Sequence, residues 1–188
     1  MTMTRLFFAV PVEPTPELRH LARQLELLGP ALRVTSRDQW HFTVKFLGDT
    51  PEDRVPLLKE ICAELAAACR VTEVGLSGLG VFPHLARPQV VWCGLRSPEP
   101  LIELAERLEI ACAQLGIPPD RRAFHPHLTL ARINTRPPQI FREFIESRAT
   151  IDLGETTLSK LVLFQSVLSP SGSKYTPLME SPWKKVDQ

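Results

Sequence analysis

The sequence lacks any long hydrophobic run and any large excess of charge. Near the N-terminus, the apolar residues 6–10 end at Pro11, which makes them too short for a signal-peptide core or a membrane span. The formal net charge is +1 at pH 7, so the chain carries no overall field that would attract nucleic acid. These absences predict a soluble protein with no membrane partner, in which any anion-binding site is local.

The cysteines show no functional spacing. Cys62, Cys69, Cys93 and Cys112 form no C-x-x-C pair and no pattern of metal ligands. They fall at apolar positions of predicted helices and a strand, as expected of small buried side chains in a reducing compartment. The sequence therefore predicts a cytoplasmic protein without disulfides or a cysteine-bound metal.

The chain alternates strand and helix patterns, but not in a regular one-to-one order. Hydrophobic residues make up 44% of it and charged residues 23%, as is typical of a globular protein. Predicted strands cover residues 5–12, 40–46, 71–81, 89–95, 127–133, 158–168 and 174–179, and helices cover 16–28, 50–69, 101–115 and 137–148. We expect the strand at 40–46 to end at Gly48, and Pro56 to disturb the first turns of the second helix. This order favours an α+β fold with antiparallel sheets.

A short motif occurs twice. Residues 41–44 and 127–130 both read His, apolar, Thr, apolar, each within a predicted strand. Side chains two residues apart on a strand share a face, so each motif presents an imidazole and a hydroxyl together. A single His-x-Thr pair is usually structural. Two copies in the same frame predict one shared site, with the two strands facing each other across a cleft.

Two imidazoles and two hydroxyls suit acid–base chemistry on a phosphodiester. Because the ordinary pKa of histidine is near 6.5, one ring can be neutral and the other protonated around neutral pH. A neutral ring can deprotonate water while a protonated ring donates to the leaving oxygen. The hydroxyls can donate hydrogen bonds to the non-bridging oxygens. No carboxylate cluster suited to a catalytic metal is visible, and the Gly-x-Gly at 78–80 lacks the third glycine of a dinucleotide site.

The two motifs also resemble a known family. Residues 41–48 (His-Phe-Thr-Val-Lys-Phe-Leu-Gly) and 126–132 (Pro-His-Leu-Thr-Leu-Ala-Arg) are similar to the signature motifs of the 2H phosphoesterase superfamily. Within it they resemble the RNA 2′,3′-cyclic phosphodiesterases, also called 2′-5′ RNA ligases. The likeness extends to residues 5–10, 80–83, 88, 91–94, 166–168, 172 and 175.

This resemblance implies a fold and a reaction. The expected fold is one domain over residues 1–188, with two lobes related by an approximate two-fold axis. Two antiparallel sheets with flanking helices would surround a central cleft, and each lobe would contribute one His-x-Thr motif. The implied reaction is hydrolysis of an RNA 2′,3′-cyclic phosphate terminus to a 2′-phosphate, without metal or other cofactor.

Roles for individual residues follow from the motifs and the resemblance. The resemblance makes His41 the proton donor and His127 the proton acceptor. Thr43 and Thr129 are expected to bind the substrate phosphate. Arg132 belongs to the family motif and is also expected to bind phosphate. Strict alternation would place it on the opposite face, so a twist, a bulge or a place at the end of the strand is needed to bring it to the cleft.

Other residues near the motifs are weaker candidates. Phe46 and Phe124 are candidates for stacking on a base, although each is more often a core residue. His125 is a candidate RNA contact, and its His-x-His spacing raises a metal site, for which no third ligand is evident. Arg121 and Arg122 lie in a predicted loop, where contact with RNA and simple solvation are equally good interpretations.

Two alternative functions remain open at this point. One is a related phosphodiesterase acting on a small cyclic nucleotide or on 2′-5′ oligoadenylate. The other is a non-catalytic nucleotide-binding module, which would have little need for two complete His-x-Thr pairs. The preferred partner is RNA with a 2′,3′-cyclic phosphate terminus, and no obligate protein partner is evident.

Overall fold

The computed structural model describes residues 2–120, 122–169 and 172–185. Its nine strands are β1 (Met3–Pro11), β2 (Leu32–Val34), β3 (His41–Pro51), β4 (Thr72–Phe82), β5 (Val90–Arg96), β6 (Leu128–Ile133), β7 (Asp152–Leu158), β8 (Lys160–Ser169) and β9 (Gly172–Pro182). Its four α-helices are α1 (Pro16–Leu27), α2 (Val55–Ala68), α3 (Glu99–Gln114) and α4 (Phe141–Glu146). No helix in these ranges is long and apolar enough to span a membrane. The predicted α+β class is confirmed.

The strands form two antiparallel half-sheets. The central half-sheet has the order β7-β4-β5-β6, and the terminal half-sheet has the order β3-β1-β8-β9. β2 pairs with β6 outside this path. One residue pair, Phe42 opposite Leu128, joins the two at β3 and β6. The two predicted sheets are therefore continuous, forming a single curled sheet of nine strands.

The helices follow the approximate two-fold relation. β1-α1-β3-α2 in the first half of the chain corresponds to β5-α3-β6-α4 in the second. α1 follows β1 of the terminal half-sheet and contacts β7 of the central half-sheet. α3 follows β5 of the central half-sheet and contacts β3 of the terminal one. α2 contacts β8 and β9, and α4 contacts β4. One continuous cluster of buried hydrophobic residues includes members of all four helices and of both half-sheets. This shared core supports the proposal that residues 1–188 form one domain of two lobes.

Several element boundaries follow local chemistry as predicted. Thr15 caps α1, because its hydroxyl accepts a hydrogen bond from the Leu18 amide at 3.0 Å. Such a cap contributes about 1 kcal/mol. α3 ends just before Gly116, whose φ of 70° belongs to the left-handed region that favours glycine. Of the four cysteines, all are free thiols, and only Cys69 is not fully buried.

Other boundaries were predicted wrongly. β3 does not end at Gly48 but continues to Pro51, because β1 pairs along its whole length down to Met3 opposite Pro51. A 3-10 turn, Glu52–Arg54, comes before the second helix, which is α-helical only from Val55. Pro56 lies in the first α-helical turn, where a missing amide costs no hydrogen bond, and the irregular start predicted for this helix is present as the 3-10 turn.

The remaining errors concern short elements. The helix predicted over 137–148 is reduced to α4, because residues before Phe141 form turns. β2 and β7 were not predicted. β2 has three residues, and β7 exists through its pairing with β4, from Leu158 opposite Thr72 to Asp152 opposite Ser77. Pairing between segments distant in sequence creates both strands.

A buried ion pair connects β3 with α3 and the loop that leads to β6. The Lys45 side chain is 1% exposed, and its Nζ lies 2.7 Å from Glu109 Oε1 on α3 and 3.8 Å from Asp120 Oδ2. The other Glu109 oxygen, Oε2, is buried without a partner. Because a buried ammonium group is costly without its counter-charge, this contact holds the loop against β3.

We predict that Glu109→Ala lowers the free energy of unfolding by about 2 kcal/mol. This is less than the ~3–5 kcal/mol typical of a fully buried pair, because Glu109 is 29% exposed and Asp120 remains close. Glu106→Ala, on the exposed face of the same helix α3, is the matched control. Equal chemical-denaturation midpoints for the two variants would contradict this role of Glu109.

Candidate active site

The structure brings the two His-x-Thr motifs together at the junction of the half-sheets. His41 is the first residue of β3, and His127 immediately precedes β6. Phe42 and Leu128, the middle residues of the motifs, face each other and are fully buried. Continuing this antiparallel register places each histidine opposite the threonine of the other motif, His41 with Thr129 and Thr43 with His127. The four polar side chains therefore project from one face of the paired strands, and three of them, His41, Thr43 and Thr129, line one cavity.

Both imidazole rings are oriented by the same local hydrogen bond. Nδ1 of His41 donates to the Gln39 carbonyl at 2.6 Å, and Nδ1 of His127 donates to the His125 carbonyl at 2.7 Å. Because a carbonyl can only accept, the proton of each neutral ring is held on Nδ1. Nε2 then carries the free lone pair, and Nε2 of His41 accepts from the Thr43 hydroxyl at 3.1 Å. Each ring can thus exchange a proton through Nε2.

A β-bulge at the last residue of the second motif brings Arg132 to the cleft. Where β5 pairs with β6, Val91 faces Ala131 and Trp92 faces Thr129, so Leu130 is the extra residue. Leu130 and Ala131 both point into the core, each 0% exposed. This shift reverses the alternation, and Arg132 lines the same cavity as Thr129. A bulge was one of the features expected to bring Arg132 to the cleft, and it is present.

The equivalent bulge on β3 turns Phe46 toward the cleft. Phe8 faces Lys45 and Ala9 faces Thr43, so Val44 is the extra residue there. Phe46 is therefore the two-fold counterpart of Arg132, five residues after the motif histidine. Its ring is 43% exposed and lies 4.6 Å beneath the Arg5 guanidinium. Both Phe46 and Arg132 line a cavity of about 310 Å³ that also includes His41.

A larger cavity, of about 580 Å³, extends from the motifs toward β2 and the β8–β9 hairpin. Its volume lies within the range of small-molecule and nucleotide sites. It is lined by Arg33, Val34, Thr35, Ser36, Gln39, His41, Thr43, Thr129, Arg132, Val167, Ser169, Gly172, Ser173, Lys174 and Tyr175. Arg33 was missed by the sequence analysis, because β2 is too short to give a strand pattern.

Aromatic side chains surround both histidines. Phe7 and Tyr175 lie 5.2 and 5.3 Å from the His41 ring, centroid to centroid. On the other side, the Phe82 ring meets His127 edge-on at 4.9 Å. Phe82 stacks on Trp92 at 5.1 Å. These apolar rings exclude water from the imidazoles and weaken their positive forms.

The other described candidates line neither of the cavities that include His41. Phe124 and His125 line a separate cavity beside Trp92, whose ring lies 5.3 Å from that of His125. Phe124 also packs against the hydrophobic core. Arg122 is exposed, and Arg121 lies outside the described residues. Within the described ranges, no group of three His, Cys, Asp or Glu side chains could hold a metal ion.

The surroundings lower the pKa of both histidines. For His41, burial lowers the pKa from 6.5 to about 4, with further lowering by the charges of His127 and Arg132, while the Gln39 carbonyl opposes the shift. For His127, burial lowers the pKa, as does the charge of His125, and the His125 carbonyl opposes them. Both rings are therefore neutral in the free protein at neutral pH. A proton donor must gain its proton when an anion binds.

Comparison with known proteins supports a single family. The model of the 2′-5′ RNA ligase superfamily matches residues 10–167. A protein named RNA 2′,3′-cyclic phosphodiesterase from Escherichia coli (strain K12) is 31% identical over 182 residues, which cover 93% of this chain and 93% of the relative.

Solved structures share the whole architecture. TT0787 of Thermus thermophilus superposes with a TM-score of 0.80 and 27% identity, over 96% of this chain and 98% of that one. E. coli LigT complexed with 3′-AMP superposes with a TM-score of 0.72 and 26% identity, over 97% and 99% of the two chains. The arrangement of two half-sheets is thus common to these proteins.

We predict that the His41 ring titrates with a pKa of about 4 in the free protein, because burial and two positive neighbours disfavour its charged form. NMR titration of the ring protons measures this. His127→Ala removes one of those positive neighbours and should raise the midpoint. Inorganic phosphate should raise it further, because a bound anion stabilises imidazolium. A midpoint at or above the ordinary value of about 6.5 without phosphate would show that the ring is not shielded from water.

Proposed function

This chain belongs to the 2′-5′ RNA ligase superfamily, and on that premise we propose that it hydrolyses RNA 2′,3′-cyclic phosphate termini to 2′-phosphates. The observation that carries the proposal is the crossed arrangement of the two motifs, in which each histidine lies opposite the other motif's threonine. A relative of matching length is named RNA 2′,3′-cyclic phosphodiesterase. The free thiols of all four cysteines support a reducing, cytoplasmic location.

In the proposed reaction, the cyclic phosphate lies between the Nε2 atoms of the two histidines. His127 Nε2 takes a proton from water as the water oxygen attacks phosphorus. The bond from phosphorus to the 3′ oxygen breaks, and His41 Nε2 gives its proton to that oxygen. The products are a 2′-phosphate and a free 3′-hydroxyl. Solvent then removes the proton from His127 and returns one to His41.

Neutral and charged donors hold the phosphate during this step. The Thr43 and Thr129 hydroxyls are placed to donate to the non-bridging oxygens, and Arg132 supplies a fixed positive charge on the same face. Hydrogen bonds to charged groups contribute about 1.5–3 kcal/mol each. In this proposal the protein's own side chains supply the proton transfers and the charge stabilisation, and no cofactor takes part.

Substrate binding also explains how His41 can carry the proton that it donates, although it is neutral in the free protein. The proposed donor has the strongly lowered pKa, so the free protein holds it neutral. The negative phosphate raises the pKa of the adjacent ring and offsets the repulsion from Arg132. The donor is therefore charged mainly in the complex, and protonation is coupled to the arrival of the correct anion.

The same geometry allows 2′-5′ ligation, which is the same displacement with a different nucleophile. A 5′-hydroxyl of a second RNA can take the place of water on the side of His127, which would give a 2′-5′ linkage. Water is far more abundant than RNA ends, so hydrolysis should dominate. Phe46 is the proposed stacking surface for a base, because it is exposed and lies beside Arg132.

We predict that His41→Ala and His127→Ala each lower turnover of a cyclic-phosphate RNA by about 10²- to 10⁴-fold, the usual contribution of a general acid or base. The assays are run with a chelator present. His84→Ala is the control, because His84 is an exposed histidine outside both cavities. A substrate with sulfur at the 3′ bridging position needs no proton on its leaving group. This substrate should restore the turnover of His41→Ala but not that of His127→Ala. The opposite pattern would exchange the roles of the two histidines.

We predict a single product isomer. In-line displacement requires water to approach opposite the leaving oxygen, and two fixed rings define one such axis. The product should carry a 2′-phosphate and resist a phosphatase specific for 3′-phosphates. Rapid removal of the phosphate by that enzyme would show that the 2′ oxygen leaves instead.

A further inference from the structure

Two arginines lie directly opposite each other on neighbouring strands beside the phosphate site. In the register of β2 with β6, Arg33 faces Arg132. Side chains paired in this way project from the same face, about 5 Å apart at their Cβ atoms, and like charges there are destabilising. Among the described residues, neither guanidinium forms an ion pair with a carboxylate. Negative charges bound between the two guanidinium groups would offset this repulsion, so the pair suits a ligand with more than one negative charge.

The β8–β9 hairpin lies next to Arg33. The guanidinium of Arg33 is so close to Gly172 that a Cβ atom at that position would require the arginine side chain to shift. Gly172 has a φ of 126°, which also favours glycine there. Arg33 and Gly172 both line the 580 Å³ cavity, with Arg132, Thr43 and Thr129. The cavity thus joins the catalytic centre to a second cationic group.

We propose that Arg33 binds a second phosphate of the substrate, the phosphodiester on the 5′ side of the terminal nucleoside. This inference rests on the proposed function, in which Arg132 and the two motifs hold the cyclic phosphate. A guanidinium can bind a phosphate through two parallel hydrogen bonds. An RNA end supplies two phosphates for the two arginines, whereas a cyclic mononucleotide supplies one and leaves Arg33 without an anion. The site therefore selects RNA ends over cyclic mononucleotides.

The test compares wild type, Arg33→Gln and Arg37→Gln. Arg37 is an exposed arginine four residues along the chain that does not line the cavity, so it controls for loss of charge. The substrates are a trinucleotide ending in a 2′,3′-cyclic phosphate and the cyclic mononucleotide with the same base. Arg33→Gln should lower kcat/KM for the trinucleotide by about 10- to 100-fold, mainly through KM. Turnover of the mononucleotide should stay within about two-fold of wild type.

A neutral linkage identifies the phosphate that Arg33 contacts. A trinucleotide with a methylphosphonate at the linkage preceding the terminal nucleoside should lose as much activity with wild type as Arg33→Gln does. Arg33→Gln should not distinguish this substrate from the normal one. The salt dependence of trinucleotide binding should also become shallower, by about 0.7 in the logarithmic slope, as expected for one phosphate of a single strand.

Two outcomes overturn the inference. Equal losses for the trinucleotide and the mononucleotide would place Arg33 on the cyclic phosphate itself. Unchanged activity on both would leave Arg33 without a role in substrate binding. Dissociation constants for a trinucleotide 3′-phosphate and a nucleoside 3′-phosphate, measured with wild type and Arg33→Gln, decide the inference without turnover. Failure of wild type to hydrolyse either cyclic substrate would instead refute the proposed function.

Discussion

The site depends on one contact between the half-sheets, the pairing of Phe42 with Leu128. Both side chains are fully buried, so the apolar residue inside each motif fixes the relative position of the two strands. The flanking histidines and threonines then project to the opposite face in a crossed arrangement. A shift of one residue in this register would turn the polar groups into the core, which the burial of both apolar residues prevents.

An approximately symmetric scaffold produces an asymmetric site. Equivalent bulges at Val44 and Leu130 place Phe46 and Arg132 in corresponding positions, so one half offers an aromatic ring and the other a cation. The positive charge of Arg132 also lowers the pKa of His41. Burial of both rings lowers their pKa values and keeps the imidazoles neutral at neutral pH when no anion is bound.

The predictions from sequence succeeded where the signal was local and failed where it was not. The cap at Thr15 and the stop at Gly116 follow from neighbouring residues, and both are present. The end of β3 was predicted wrongly at Gly48, because pairing with β1 overrides the tendency of glycine to end a strand. Arg33 gave no signal, because its place in the cavity depends on facing Arg132 on a strand that is distant in sequence.

The sequence by itself determined the α+β class, the repeated His-x-Thr motif and membership of the family, because these depend on residue type, spacing and periodicity. Only the tertiary structure decided which groups share the cavity. The bulges that turn Arg132 and Phe46 toward the cleft, and the pairing that adds Arg33, are features of register between distant strands. Register is set by the packing of whole half-sheets and their helices, and no short stretch of sequence contains that information.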